Sequence, residues 1–172
     1  MRHTIKNLLN QEQKNMLKSL KGETFDLLIN EAGEFALSVL IEAPNRDIII
    51  KNIPSEASDG DEYPKLVIEQ AVTPKNSFVK SYGGKKIKDI TILRDEVTWK
   101  TNDNNWFLEV DIGIKIIDEN VELLIIAHDS LAGLLKSHKI KDDKSVGELL
   151  EDYWSMKTDH VNSLTRKEIT IN

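Results

Sequence analysis

Four histidines, His3, His128, His138 and His160, are the side chains of this sequence best suited to acid–base or metal chemistry. None stands at a ligand spacing such as H-E-x-x-H. His128-Asp129-Ser130 sets the three residue types of a hydrolytic triad in a row. Consecutive side chains point in different directions, however, and cannot hydrogen-bond in series. Asp129 and Ser130 read instead as a helix cap. Were the fold to enclose a small molecule, Trp99, His128 and Asp129 are the residues to examine as ligand contacts.

Two charged segments offer different chemistry. Glu56, Asp59, Asp61 and Glu62 fall within seven positions of a proline-bounded polar stretch. Clustered carboxylates hold hard cations, but Gly60 lies between the aspartates, which is not the EF-hand order. The stretch reads as an exposed, flexible loop whose carboxylates form a contact surface for a basic partner. Glu148, Glu151 and Asp152, with Asp142 and Asp143, make a second acidic surface of the same kind. The counterweight runs from Lys75 to Lys88. It carries Lys80, Tyr82, Lys85, Lys86 and Lys88 around Gly83-Gly84 without an acid, a pattern of cations and aromatics that suits an anion or a single nucleic-acid strand. It lacks both phosphate-binding glycine fingerprints. The plainer reading is an edge strand whose lysines discourage sheet-to-sheet pairing, followed by a Gly-Gly turn.

Composition narrows the function classes further. The 172 residues include no cysteine, which removes disulfides, thiolate zinc sites and cysteine nucleophiles. No motif implies a cofactor or a metal. The formal charge of −6 opposes indiscriminate association with nucleic acid. No apolar run approaches the roughly 20 residues that span a bilayer, and the N-terminus lacks a signal-peptide core. The expectation is a small acidic cytoplasmic protein, with the Ile, Lys and Asn usage of an AT-rich bacterial genome.

These groups must be positioned by a scaffold, and the hydrophobic pattern predicts a single α+β domain over residues 1–172. Ile5, Leu8, Leu9, Met16, Leu17 and Leu20 share a helical face that ends at Gly22. Alternatively, Asn10 with Gln13 caps a second, shorter helix. Residues 24–43 read as a hairpin turning at Gly33. Strands follow at 48–53, 65–73, 87–93, 97–101, 106–117 and 121–128. A four-residue loop at 102–105 would set Trp99 opposite Leu108. It would also put Val97, Trp99, Trp106, Leu108, Val110, Ile112, Ile114 and Ile116 on one buried face, leaving Thr98, Lys100, Glu109, Asp111 and Lys115 on a wet one. From Asp129 the period turns helical: Leu131, Leu134 and Leu135 mark one helix. Ser145 and Glu148 cap another, which carries Leu149, Leu150, Tyr153 and Trp154. Residues 165–172 are a terminal strand or a loose tail. The expected architecture is therefore a mostly antiparallel sheet of about six to eight strands, with an N-terminal helix and C-terminal helices packed on one face.

The functional expectation is a non-enzymatic protein-binding module of the inhibitor, immunity or adaptor type. The alternative is a small-molecule-binding or enzymatic domain with its pocket between the sheet and the C-terminal helices. A homo-oligomer is compatible with either.

Overall fold

A computed structural model describes residues 1–72, 75–129, 132–140, 154 and 161–172. Strands dominate it. β1 spans Arg2–Asn7, β2 Thr24–Ala32, β3 Phe35–Ala43, β4 Arg46–Asn52, β5 Ser55–Glu56, β6 Glu62–Tyr63, β7 Leu66–Gln70, β8 Val79–Lys86, β9 Asp89–Thr101, β10 Asn104–Ile117, β11 Glu122–Asp129, β12 Leu134–Ile140 and β13 Val161–Thr170. Eleven of these form one sheet, and β5 and β6 pair separately. One α-helix, α1 (Gln11–Lys18), and a 3-10 turn at Lys75–Ser77 are the other elements named among the described residues. The fold is thus mostly β, which corrects the α+β expectation.

The sheet rolls up on itself, and its connectivity requires this. Its main path runs β13-β9-β10-β11-β12-β3-β2-β8. β8 and β9 lie near opposite ends of that path, yet only Ile87 and Lys88 separate them in the chain. The two ends must meet, and hydrogen bonds record the meeting. Gly22 N donates to Ile87 O and Ile87 N to Glu23 O, both at 2.9 Å, while Lys88 N donates to Ile117 O at 2.8 Å. Ile90, Ile92, Ile114, Ile116, Leu123 and Ile125 belong to one buried cluster with Leu17 and Leu20 from the helical segment and Leu27, Val39, Ile41, Ile48 and Ile50 from the β2–β4 side. Fully burying such a side chain contributes roughly 1.5–3 kcal/mol.

The N-terminal segment is a strand followed by a helix. Residues 2–7 pair in parallel with β10, because a free edge beside Asn105–Val110 satisfies their backbone groups. The shorter capped helix does form: Asn10 accepts from Gln13 N at 2.8 Å, and Gln13 Oε1 accepts from Asn10 N at 2.9 Å. The 24–43 hairpin is present, with Gly33 at φ 66° in its turn. The expected helix at Leu131–Leu135 is overturned at its C-terminal end, where Leu134 and Leu135 begin β12, paired with β11. Two adjacent leucines have no period of their own and fit a helical stripe as readily as the start of a strand. Of the helix expected at 145–154, only Trp154 lies within the described residues. The terminal strand is real and longer than read, pairing with β9 from Val161 to Thr170.

The central hairpin corrects the register. Asn102 takes φ 51°, which permits a two-residue turn, so Trp99 faces Trp106 and Val97 faces Leu108. The displacement is an even number of residues and leaves the faces unchanged. A bulge between Asp111 and Gly113 then inserts an extra residue in β10. Trp106, Leu108 and Val110 therefore share a face with Trp99 and Val97, whereas Ile114 and Ile116 lie on the other face with Ile92 and Ile90. Leu123, Leu124, Ile125, Ile126 and Ala127 are all buried, so neither side of β11 is wet. The expected wet face also holds Asp111 at 0% exposure and Lys115 at 8%.

Asp111 is buried because it has partners. Its carboxylate takes a fork from Arg94 (Nε to Oδ1 2.7 Å, Nη2 to Oδ2 3.2 Å) and the backbone N–H of Leu9 at 2.8 Å. On the opposite face the next residue of β9, Asp95, is also at 0% exposure. It takes a fork from Arg166 at 2.7 Å on both oxygens and the Trp154 indole N–H at 2.6 Å. Removing one partner of a buried pair strands the other, at a cost of about 3–5 kcal/mol. Asp111→Ala is accordingly expected to lower the urea-unfolding free energy by about 3–5 kcal/mol. A loss below about 1 kcal/mol would contradict this assignment.

Candidate interaction surfaces

The acidic stretch at 55–63 folds as a hairpin, with β5 paired to β6. Its turn is built by Ala57 N donating to Asp61 O (2.9 Å), Gly60 N to Ala57 O (3.0 Å) and Asp61 N to Asp59 Oδ1 (3.1 Å). Gly60 sits at φ 82°, where a side chain would be strained. The base is fastened to the core. Tyr63, 3% exposed, lies against Trp99 with ring centroids 5.7 Å apart, and its hydroxyl donates to Asp59 Oδ2 at 2.8 Å. Asn7 donates to Ser55 Oγ at 2.8 Å and to Pro64 O at 2.9 Å. Above this base, Glu56 stands directly opposite Glu62, while Glu56, Asp59 and Asp61 are exposed. Neither Glu56 nor Glu62 joins an ion pair among the described residues.

A second set of opposed carboxylates was invisible in the sequence, since only the register brings it together. Asp26 faces Glu42, and Glu42 faces Asp47, across β2, β3 and β4. They line a cleft of about 490 Å³ with Phe25, Pro44, Lys75 and Gly84. Here the repulsion is neutralised within the chain. Lys75 bonds both Glu42 and Asp47, which raises its pKa, and Lys80 bonds Asp26 at 2.9 Å.

The basic segment is a strand, β8, that among the described residues pairs only with β2 and so forms an edge. Its glycines lie within the strand rather than in a turn: a Cβ on Gly84 would come within 2.2 Å of the Phe25 ring. Lys80 is spent on Asp26. Lys85, Lys86 and Lys88 are exposed and enter no ion pair among the described residues. Tyr82 turns inward. Its hydroxyl donates to Asp118 Oδ2 at 2.6 Å, and the Lys139 ammonium lies 4.9 Å from its ring centroid. Asp118 also accepts from Lys85 N, Asn120 N and Val121 N. The segment thus ties β8 to the β10–β11 turn.

The three residues set aside as ligand contacts are not gathered. Trp99 stacks on Trp106 (5.7 Å, 4° between planes), and His3 stacks on the same ring at 4.2 Å. His128 stacks on Phe35 at 4.5 Å. Gly113 faces Ile126 and Trp99 faces Trp106, so about five residues, roughly 17 Å, separate Trp99 from His128 along the strands. Asp129 ends β11. His138, not singled out by spacing, has a buried Nε2 with no hydrogen-bond partner among the described residues. Burial, with Lys136 and His128 nearby, holds it below the ordinary imidazole range. Glu148, Glu151 and Asp152 lie outside the described residues, as do Asp142 and Asp143. Among the described residues no group of three or more His, Asp or Glu could hold a metal ion, and no helix is long and apolar enough to cross a membrane. Comparison with known proteins found no matching family model, no matching curated protein and no matching solved structure.

The Tyr82–Asp118 contact has a pH signature of definite sign. Burial, reinforced by Asp118, raises the phenol from 10.0 to about 12. For Asp118, burial pushes upward, but the bonds from Tyr82, Asn120, Lys85 and Val121 outweigh it and hold the carboxyl below its ordinary value. Tyr82 therefore contributes stability that is complete below pH 10 and lost as pH rises through about 12. Asp118 contributes stability present above its unfolded value and lost as acid protonates it in the folded state. Tyr82→Phe is expected to flatten the alkaline limb of the stability–pH curve between pH 10 and 12. An alkaline limb identical to that of the parent protein would contradict the contact.

Proposed function

We propose that this protein is a non-enzymatic interaction module that docks a basic surface of a protein partner through the β5–β6 hairpin, as an inhibitor, immunity or adaptor protein does. The observation that carries this reading is the Glu56–Glu62 pair, opposed in register and without a cation among the described residues. Like charges directly opposite each other in a strand pair disfavour it, by up to about 1 kcal/mol. The Asp26–Glu42–Asp47 row shows the same problem answered by two lysines of the chain itself. At the hairpin the answer is left to a guanidinium or ammonium from outside.

The hydrogen bonds that hold the hairpin on Asn7 and Tyr63 support the reading as well. A loop already folded on Asn7 and Tyr63 loses little conformational freedom on binding, which leaves more of the contact energy as affinity. An exposed acidic tip on a chain of net charge −6 also speeds encounter with a basic partner, in a manner that salt suppresses.

The test compares affinity baits made from the parent protein and from the double variant Glu56→Lys, Glu62→Lys, each exposed to the same cell extract at low and high salt. Asp59 is left intact because it supports Tyr63. A basic protein retained by the parent bait, released by salt and missing from the variant bait is the expected result. Identical sets of proteins on the two baits would refute the proposal.

A further inference from the structure

Of the eight glycines in the sequence only Gly60 follows an aspartate, and none follows an asparagine. An Asp–Gly junction is where a peptide backbone rearranges most readily, because a residue without Cβ leaves its amide nitrogen unshielded. The reaction needs nothing but water. The Gly60 nitrogen bonds to Asp59 Cγ, and its proton leaves with the hydroxyl of the protonated carboxyl as water, closing a succinimide ring. Water then adds to the Asp59 main-chain carbonyl carbon and breaks that carbon's bond to the nitrogen. The product is an isoaspartate. Its backbone runs through Cβ, its α-carboxylate is free, and its mass and charge equal those of the starting residue.

In the folded hairpin both reacting groups are held elsewhere. Asp59 Oδ2 accepts from the Tyr63 hydroxyl at 2.8 Å and Oδ1 from Asp61 N at 3.1 Å, while Gly60 N donates to Ala57 O at 3.0 Å. The Tyr63 hydroxyl cannot follow the carboxyl toward Gly60, since Tyr63 is 3% exposed and its ring lies against Trp99. Asn7 ties down the same base through Ser55 Oγ and Pro64 O. We propose that Asp59–Gly60 is a latent site of backbone isomerisation, latched by the Tyr63 hydroxyl and released when the hairpin opens. The consequence for the turn is direct. Its register is set by Gly60 N on Ala57 O and by Ala57 N on Asp61 O, and an extra backbone carbon between Asp59 and Gly60 breaks that spacing. Isomerisation therefore holds the hairpin open and draws Glu56 away from Glu62, its register partner. The site is a property of the chain alone, whether or not the hairpin docks a partner.

The test ages three samples side by side in neutral buffer: the folded parent, the same chain unfolded in guanidinium, and the variant Tyr63→Phe. Isoaspartate at Asp59 is read by peptide mapping, since a protease that cleaves before aspartate passes over it, and by enzymatic methylation of the freed α-carboxylate. Cleavage before Asp61 serves as the internal standard. The folded parent is expected to isomerise at Asp59 at least roughly tenfold more slowly than the unfolded chain, the factor that one hydrogen bond to a carboxylate supplies. Tyr63→Phe keeps the ring on Trp99 but removes the latch, and is expected to raise the folded-state rate about tenfold. Thermal melting checks that the variant is folded; were it unfolded, the ratio of rates in the parent alone decides. Equal rates in the folded and unfolded parent, or a folded Tyr63→Phe no faster than the parent, would each overturn the proposal.

Discussion

Strand β9 carries two buried ionic contacts back to back. Arg94 reaches Asp111 on one face of the sheet, and Asp95 receives Arg166 on the other. Both carboxylates are fully buried, so each exists only because its lone pairs are filled. Each pair joins residues that are also register partners, β9 to β10 in one case and β9 to β13 in the other. A slip of either neighbouring strand would strand a carboxylate in the interior, at a cost larger than any single hydrophobic contact returns. The pairs reach beyond the sheet as well: Asp111 accepts the backbone N–H of Leu9, just before α1, and Asp95 accepts the indole of Trp154. One strand thereby holds the chain near both of its ends.

With the β9–β10 ribbon held, the surfaces follow from what its two faces bury. At the hairpin end Trp99 and Trp106 form a floor on which Tyr63 seats the acidic hairpin. Past the β10 bulge the opposite face turns to the aliphatic core, and the β10–β11 turn is fastened to β8 through Tyr82 and Asp118. β13, drawn in by Arg166 and Lys167, is left with its outer edge unpaired among the described residues. The acidic tip and the open edge are thus both consequences of the same ribbon.

Much of this order was legible in residue patterns. Gly33 marked the first hairpin, Asn10 and Gln13 marked the capped helix, and the alternation through 97–117 marked the long ribbon. The failures have physical causes. Ile5 fits a helical stripe, but pairing along β10 outcompetes it, and no local propensity reports a parallel partner about a hundred residues away. Leu134 and Leu135 looked helical because two adjacent leucines carry no period of their own, and in β12 only Leu135 is fully buried. Asp111 and Lys115 looked solvated because their type says so, whereas Arg94 and Glu168 make burial tolerable. The Asp26–Glu42–Asp47 row and the Glu56–Glu62 opposition exist only once register is known.

A double-mutant cycle on Asp95 and Arg166, read by urea unfolding, measures how far this buried pair holds β13 to β9. Arg166→Met leaves the fully buried Asp95 carboxylate without its cation, Asp95→Leu leaves the half-buried Arg166 guanidinium without its anion, and the pair of changes leaves neither ionic group. A coupling energy of about 2 kcal/mol or more is expected, with the double variant more stable than at least one single variant. Strictly additive losses would show that the buried pair does not hold the sheet in register.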